Sequence, residues 1–173
     1  MSLSLHDVTI PTFRQTLGAI AALVDKAEAF CAERGLAPQQ LIQARLAEDM
    51  LPFAYQVKAV AVHSLGAIEA VRLGRFSPDM VPPPDTFAAL RARVGEALKG
   101  LEAIDPAEVN GFLGRDMYVA IRDRRIDFTA ENFLLSFSLP NFFFHATTAY
   151  DILRWKGLQI GKRDFMGQLR VKS

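Results

Sequence analysis

Three prolines in a row, at residues 82–84 within "FSPDMVPPPD" (residues 76–85), divide this chain into two helical halves. Proline fixes φ and lacks an N–H, so the triplet forces extended backbone and forbids helix. On either side, apolar residues recur every three or four positions, the pattern of helices with one buried face. Neither half carries enough such faces to enclose a core alone. The proline segment therefore reads as a crossover between helices of one unit, and residues 1–173 as a single domain. At this length about 70% of the unfolded chain's surface can be buried, without disulfide or metal staples.

The spacing predicts a first helix over residues 11–34, with Thr9 as capping candidate and Pro11 in the first turn, where its missing N–H costs nothing. Phe13, Leu17, Ile20, Val24 and Ala27 form its inner face, and Gly35 ends it. Pro38 can open a short helix. Asp49, three residues before Pro52, is a sensible cap for a second long helix reaching Leu73 and stopped by Gly74. After the crossover, Asp85 or Thr86 caps a third helix to about Ala103. Residues 116–121 ("DMYVAI") and 125–129 ("RIDFT") are short β-like runs around Asp123 and Arg124, read as a hairpin. Thr129 can cap the last helical stretch, over residues 130–156, before Gly157. Pro140 interrupts that stretch, so a kink is expected near residues 136–139. The tail beyond has two glycines and no period, and should lie along the surface. The expected fold is all-α: an up-and-down four-helix bundle with a small β-hairpin before the last helix.

Charge excludes some function classes. Twenty Lys and Arg balance nineteen Asp and Glu, interspersed along the chain, which gives no basic footprint for nucleic acid. Apolar runs are far short of the ~20 residues that a membrane span needs. Cys31 is the only cysteine, so no internal disulfide or Cys-based zinc site exists. The N-terminal "MSLSLHDVTIPTF" lacks a signal peptide's basic start and apolar core. A cytoplasmic location is expected, since a lone thiol suits a reducing compartment.

Few residues are left to carry chemistry. His6, His63 and His145 make no HxxxH or HExxH spacing, so any metal site must be assembled from separate helices. At 100° per residue, His63 lies roughly 100° from the centre of its helix's inner stripe, on the flank of Gln56. His145 lies about 90° to one side of the Phe142–Ala146–Ala149–Tyr150–Leu153 stripe, beside Asn141. Both sit where a partly wet cleft between helices can form, and also where ordinary boundary residues sit. A cleft here would be lined by Asp49, Asn141, His145 and Tyr150, with His145 as polar anchor. The plainer readings are that Asn141 bonds backbone groups freed by Pro140 and that Asp49 is a helix cap. Phe144 and Trp155 fall opposite the main stripe, so the last helix is apolar on two faces. Either the hairpin and tail cover the second face, or a homodimer forms through Phe144 and Trp155.

The segment "LPNFFFHATTAYDILRWKGLQIGKRDFMG" (residues 139–167), with "ARLAEDMLPFAYQV" (residues 44–57) and "FTAENFLLSFSLPNF" (residues 128–142), resembles a bacterial domain-of-unknown-function branch related to the DinB/YfiT-like metalloenzyme superfamily. The resemblance covers nearly the whole chain. It implies a four-helix bundle, often dimeric, in which many members hold a divalent metal on three histidines, two of them as His-x3-His on a later helix. His145 matches the first of that pair and His63 lies on the second helix, but the position four after His145 is Ala149, which cannot ligate. Two expectations follow. One is a small-molecule-binding or dimeric interaction protein without a strong metal site. The alternative is a divalent-metal-dependent transferase or hydrolase with His63 and His145 as ligands and Asp49 or Glu48 supplying oxygen.

Overall fold

The computed structural model describes residues 2–172. The chain is mostly helical, with a small three-stranded sheet. Helix α1 spans Leu5–Arg34 and starts six residues earlier than the sequence pattern predicts. The reason is a reciprocal cap at Ser4. Its hydroxyl accepts from the Asp7 N–H at 3.2 Å, and the Asp7 carboxylate accepts from the Ser4 N–H at 3.1 Å. Pro11 thus lies inside the helix. Thr9 caps nothing: it is buried and donates to the Leu5 carbonyl at 2.6 Å. Gly35 ends α1 in the left-handed region, φ 63°, as expected.

A short α2 (Gln39–Ile42) leads to α3 (Phe53–Val62) and α4 (Leu65–Leu73), the two parts of the second helical segment. Asp49 is exposed and does not cap α3, whose N-cap position is Pro52. The Phe53 N–H instead donates to the Ala44 carbonyl at 2.9 Å. The predicted inner residues Phe53, Val57, Val60, Ser64, Ile68 and Val71 are all buried. Gly74, φ 69°, closes α4.

The chain then runs through β1 (Arg75–Phe76) and the proline crossover to α5 (Phe87–Glu102), capped by the Thr86 hydroxyl accepting from the Ala89 N–H at 3.1 Å. After α6 (Pro106–Asn110), β2 (Asp116–Ile121) and β3 (Arg124–Thr129) pair antiparallel. The pair is not isolated: β1 adds to β2 in parallel, with Phe76 opposite Val119. The final segment is α7 (Ala130–Asn132), a π-helical turn (Phe133–Ser138) and α8 (Leu139–Trp155). The irregularity expected from Pro140 therefore takes the form of a widened turn just before it. The Thr129 side chain makes no capping bond.

The tail lies along the surface from Gly161 onward, as expected, but is anchored before and within that stretch. Leu158 and Ile160 are buried, and α9 (Lys162–Met166) folds back to α1, where Lys26 pairs with Asp164 and Gln15 donates to the Met166 carbonyl at 2.9 Å. The core joins α1, α3, α4, α5 and α8 through residues such as Phe13, Val57, Ile68, Leu90 and Phe142. No helix among the described residues is long and apolar enough to cross a membrane.

Candidate functional site

Two interruptions meet at one point. The Ser64 hydroxyl donates back to the Val60 carbonyl at 2.7 Å, a local bond that competes with helix continuation and separates α3 from α4. Facing it is the π-helical turn before α8, a deviation that recurs at functional sites. The buried Ser138 hydroxyl, at the end of that turn, donates to the His63 carbonyl at 3.0 Å and ties the two breaks together.

Beside this joint lies a half-open cavity of about 240 Å³. His63 comes to it from the end of α3 and His145 from α8. Their rings lie nearly parallel, centroids 5.7 Å apart. Phe76, delivered by β1, packs 5.4 Å from His63, and Phe137 of the π-turn packs 5.9 Å from it. Tyr55 meets His145 edge-on at 5.9 Å. The walls are therefore largely aromatic.

The imidazoles are held in different ways. His145 Nδ1 sits 2.7 Å from Gln56 Oε1, and the Gln56 amide nitrogen donates to the Leu51 carbonyl at 2.8 Å. His63 is 8% exposed, and its Nδ1 is buried without a hydrogen-bond partner among the described residues. Burial, and then the neighbouring His145, lower the His63 pKa to about 4. Burial alone lowers that of His145 to about 4. Both rings are neutral at pH 7.

Among the described residues, the one buried lysine is at the rim. Lys58, 4% exposed, pairs with the Asp79 carboxylate at 3.1 Å and donates to the carbonyls of Asp79, at 3.0 Å, and Val81. It thereby pins the start of the proline crossover against α3. For Asp79, burial opposes ionisation, but the Val81 N–H and Lys58 outweigh it and hold the carboxyl below its ordinary range.

Of the four residues expected to line a cleft, His145 and Asn141 do so. Asn141 also makes the backbone bond expected of it, donating to the Phe137 carbonyl at 2.7 Å. Asp49 and Tyr150 do not border the cavity. Asp49 is on an exposed loop, and the Tyr150 ring packs 5.9 Å from Phe165 of α9. Sequence reasoning missed Gln56, Lys58 and Asp79 as site residues. Gln56 had a signal, since the wheel placed it on the flank of His63. Lys58 had one too, as a lysine inside the apolar run "FAYQVKAVAV".

The family model for a domain of unknown function, DUF1993, matches residues 5–166. The chain belongs to the DUF1993 family. A crystal structure of a DinB family member protein from Shewanella denitrificans has the same fold, with a TM-score of 0.80 and 28% identity over 98% of this chain and 95% of that one. This DUF1993 chain is thus related to the DinB-like superfamily, as its C-terminal motif implies. No curated protein matches it. The donor set does not fit the three-histidine metal that the resemblance implies. His145 Nδ1 is bound to Gln56, position 149 is a fully buried alanine, and no cluster of three His, Cys, Asp or Glu side chains occurs among the described residues.

Proposed function

We propose that this protein binds a small molecule in the cleft between α3, the π-turn and α8, with His145 as the polar anchor. The observation that carries this reading is the His63 imidazole, more than nine-tenths buried at the cavity with one nitrogen unpartnered. A protein with no use for that nitrogen gains stability by replacing it with an apolar group, because an orphaned buried polar atom costs about 1–3 kcal/mol. In this reading the long helical segments form an up-and-down bundle that serves as a rigid frame, and Lys58 closes one rim. The test is a fragment screen read on the ring resonances of His63 and His145, with His145→Ala alongside. Saturable shifts in the parent that weaken in the variant support the proposal. Fragments that move neither ring refute it.

A second reading concerns assembly. Phe144 and Trp155 are 56% and 61% exposed on the outer side of α8, three turns apart on nearly the same line. These two side chains could bury about 300–500 Å². That is part of the roughly 800 Å² per partner of a standard interface, so their surroundings would have to contribute too. We propose a homodimer through this face. Light scattering on Trp155→Asp tests it: a monomer mass against a dimeric parent is the expected result, and an unchanged mass refutes the interface.

A further inference from the structure

Gln56 decides which nitrogen of His145 carries the proton. The Leu51 carbonyl can only accept, so the Gln56 side chain must turn its NH₂ to it, at 2.8 Å. That leaves Oε1, which also can only accept, 2.7 Å from His145 Nδ1. Nδ1 must then be the N–H that donates. A neutral imidazole has one N–H, so Nε2 holds a lone pair. Nε2 is on the ring edge away from Gln56 and is what His145 has left to offer the cavity it borders.

Among the described residues, the cleft presents no free charge. The three Lys58 ammonium hydrogens have three acceptors, all on the crossover segment. The Asp79 carboxylate faces Lys58 and accepts the Val81 N–H at 2.9 Å. A carboxylate ligand would find no free cation here, and an ammonium ligand no free anion. Besides the two histidines, Tyr55 and Asn141, the wall is apolar, from Val62, Phe76, Ile121 and Phe137. Size sets a further limit. An apolar cavity of about 150 Å³ takes up benzene, so about 240 Å³ suits one ring with a few further atoms.

We infer that the ligand is an uncharged, ring-sized compound whose hydroxyl or N–H donates to His145 Nε2, with its apolar body against Phe76 and Phe137. This inference rests on the cleft being a binding site.

The full chain, with its three histidines, is titrated with phenol, anisole and benzoate while imidazole ¹⁵N resonances are followed. The free protein should show His145 protonated at Nδ1 and bare at Nε2. Phenol should shift His145 Nε2 saturably, anisole should bind about tenfold more weakly for want of one hydrogen bond, and benzoate should not bind. In Gln56→Leu the ring is free to take either tautomer, and the preference for phenol over anisole should shrink to about twofold. In Gln56→Glu, whose carboxylate still accepts from Nδ1, the preference should persist. Nε2 protonated in the free protein, or anisole binding as well as phenol, overturns the donor assignment and leaves the cleft reading intact. Failure of all three probes to move either ring sinks the cleft reading and this inference with it.

Discussion

The α1–α5 seam and the α3–α8 seam solve packing in opposite ways. Between α1 and α5 both helices run without a break, the interior is apolar, and the charged contacts stay in solvent: Arg91 to Asp25 at 2.6 Å, Arg14 to Glu102 at 2.9 Å. Along α3 and α8 both helical segments are interrupted, and buried Gln56, Lys58, His63, Ser64 and Ser138 collect at the interruptions. A buried polar group without a partner costs free energy, so a seam that gathers several needs a compensating network or a ligand. The network accounts for Gln56, Lys58, Ser64 and Ser138, each of which has its bond. It does not account for His63 Nδ1. That contrast is why the proposed ligand is placed in the cleft.

The largest effect should come from acid. The folded rings of His63 and His145 take protons at about 4 and the unfolded ones at about 6.5. Within that window the unfolded chain binds more protons, so stability falls as pH falls, by up to about 1.4 kcal/mol per pH unit for each ring. Lys58, Asp79 and Tyr55 share the site. The Asp79 carboxyl, held below its ordinary range, protonates lower still. Urea midpoints at pH 7 and 4.5 measure the slope, and His63→Phe should flatten it while leaving stability at pH 7 unchanged or raised. Next is Lys58→Met, which strips the donor from Asp79 and from two carbonyls of the crossover; a loss of about 2–4 kcal/mol is expected in urea unfolding. Ser138→Ala, which frees the buried His63 carbonyl, should cost about 1–2 kcal/mol. Arg91→Ala, on the regular seam, should leave the unfolding midpoint within the scatter of the measurement, because its ion pairs lie in water. If Lys58→Met and Arg91→Ala behave alike, the two seams do not differ as described.

The regular seam is also the one that the sequence makes legible. Thr86 and the three-four spacing after it locate α5, and Gly35 and Gly74 mark true helix ends, because each signal acts within a few residues. The hairpin turn at Arg122 and Asp123 is local in the same sense. The start of α1 is ambiguous in the sequence because Pro11 is as good a first-turn signal as the Ser4–Asp7 box that in fact wins. On the irregular seam, Pro140 predicts that the last helix must deviate, but not that a π-turn absorbs the deviation. The helical wheel put His63 and His145 at stripe edges. That the edges face each other depends on how two helices pack, which no single helix encodes. Lys58 and Asp79 are 21 residues apart and meet only because the crossover folds back on α3. Asp49, a carboxylate expected at a bundle end facing His145, ends in solvent; Tyr150, placed by sharing a helix with His145, packs against α9, a helix the period does not show.

Two imidazoles are withdrawn from water at the junction of the broken helices. Following the ring C2–H resonances of His63 and His145 by NMR through a pH titration tests this most directly. Both should stay neutral through pH 6 and titrate at about 4. Midpoints near 6.5 for these rings would place them in bulk water and contradict it.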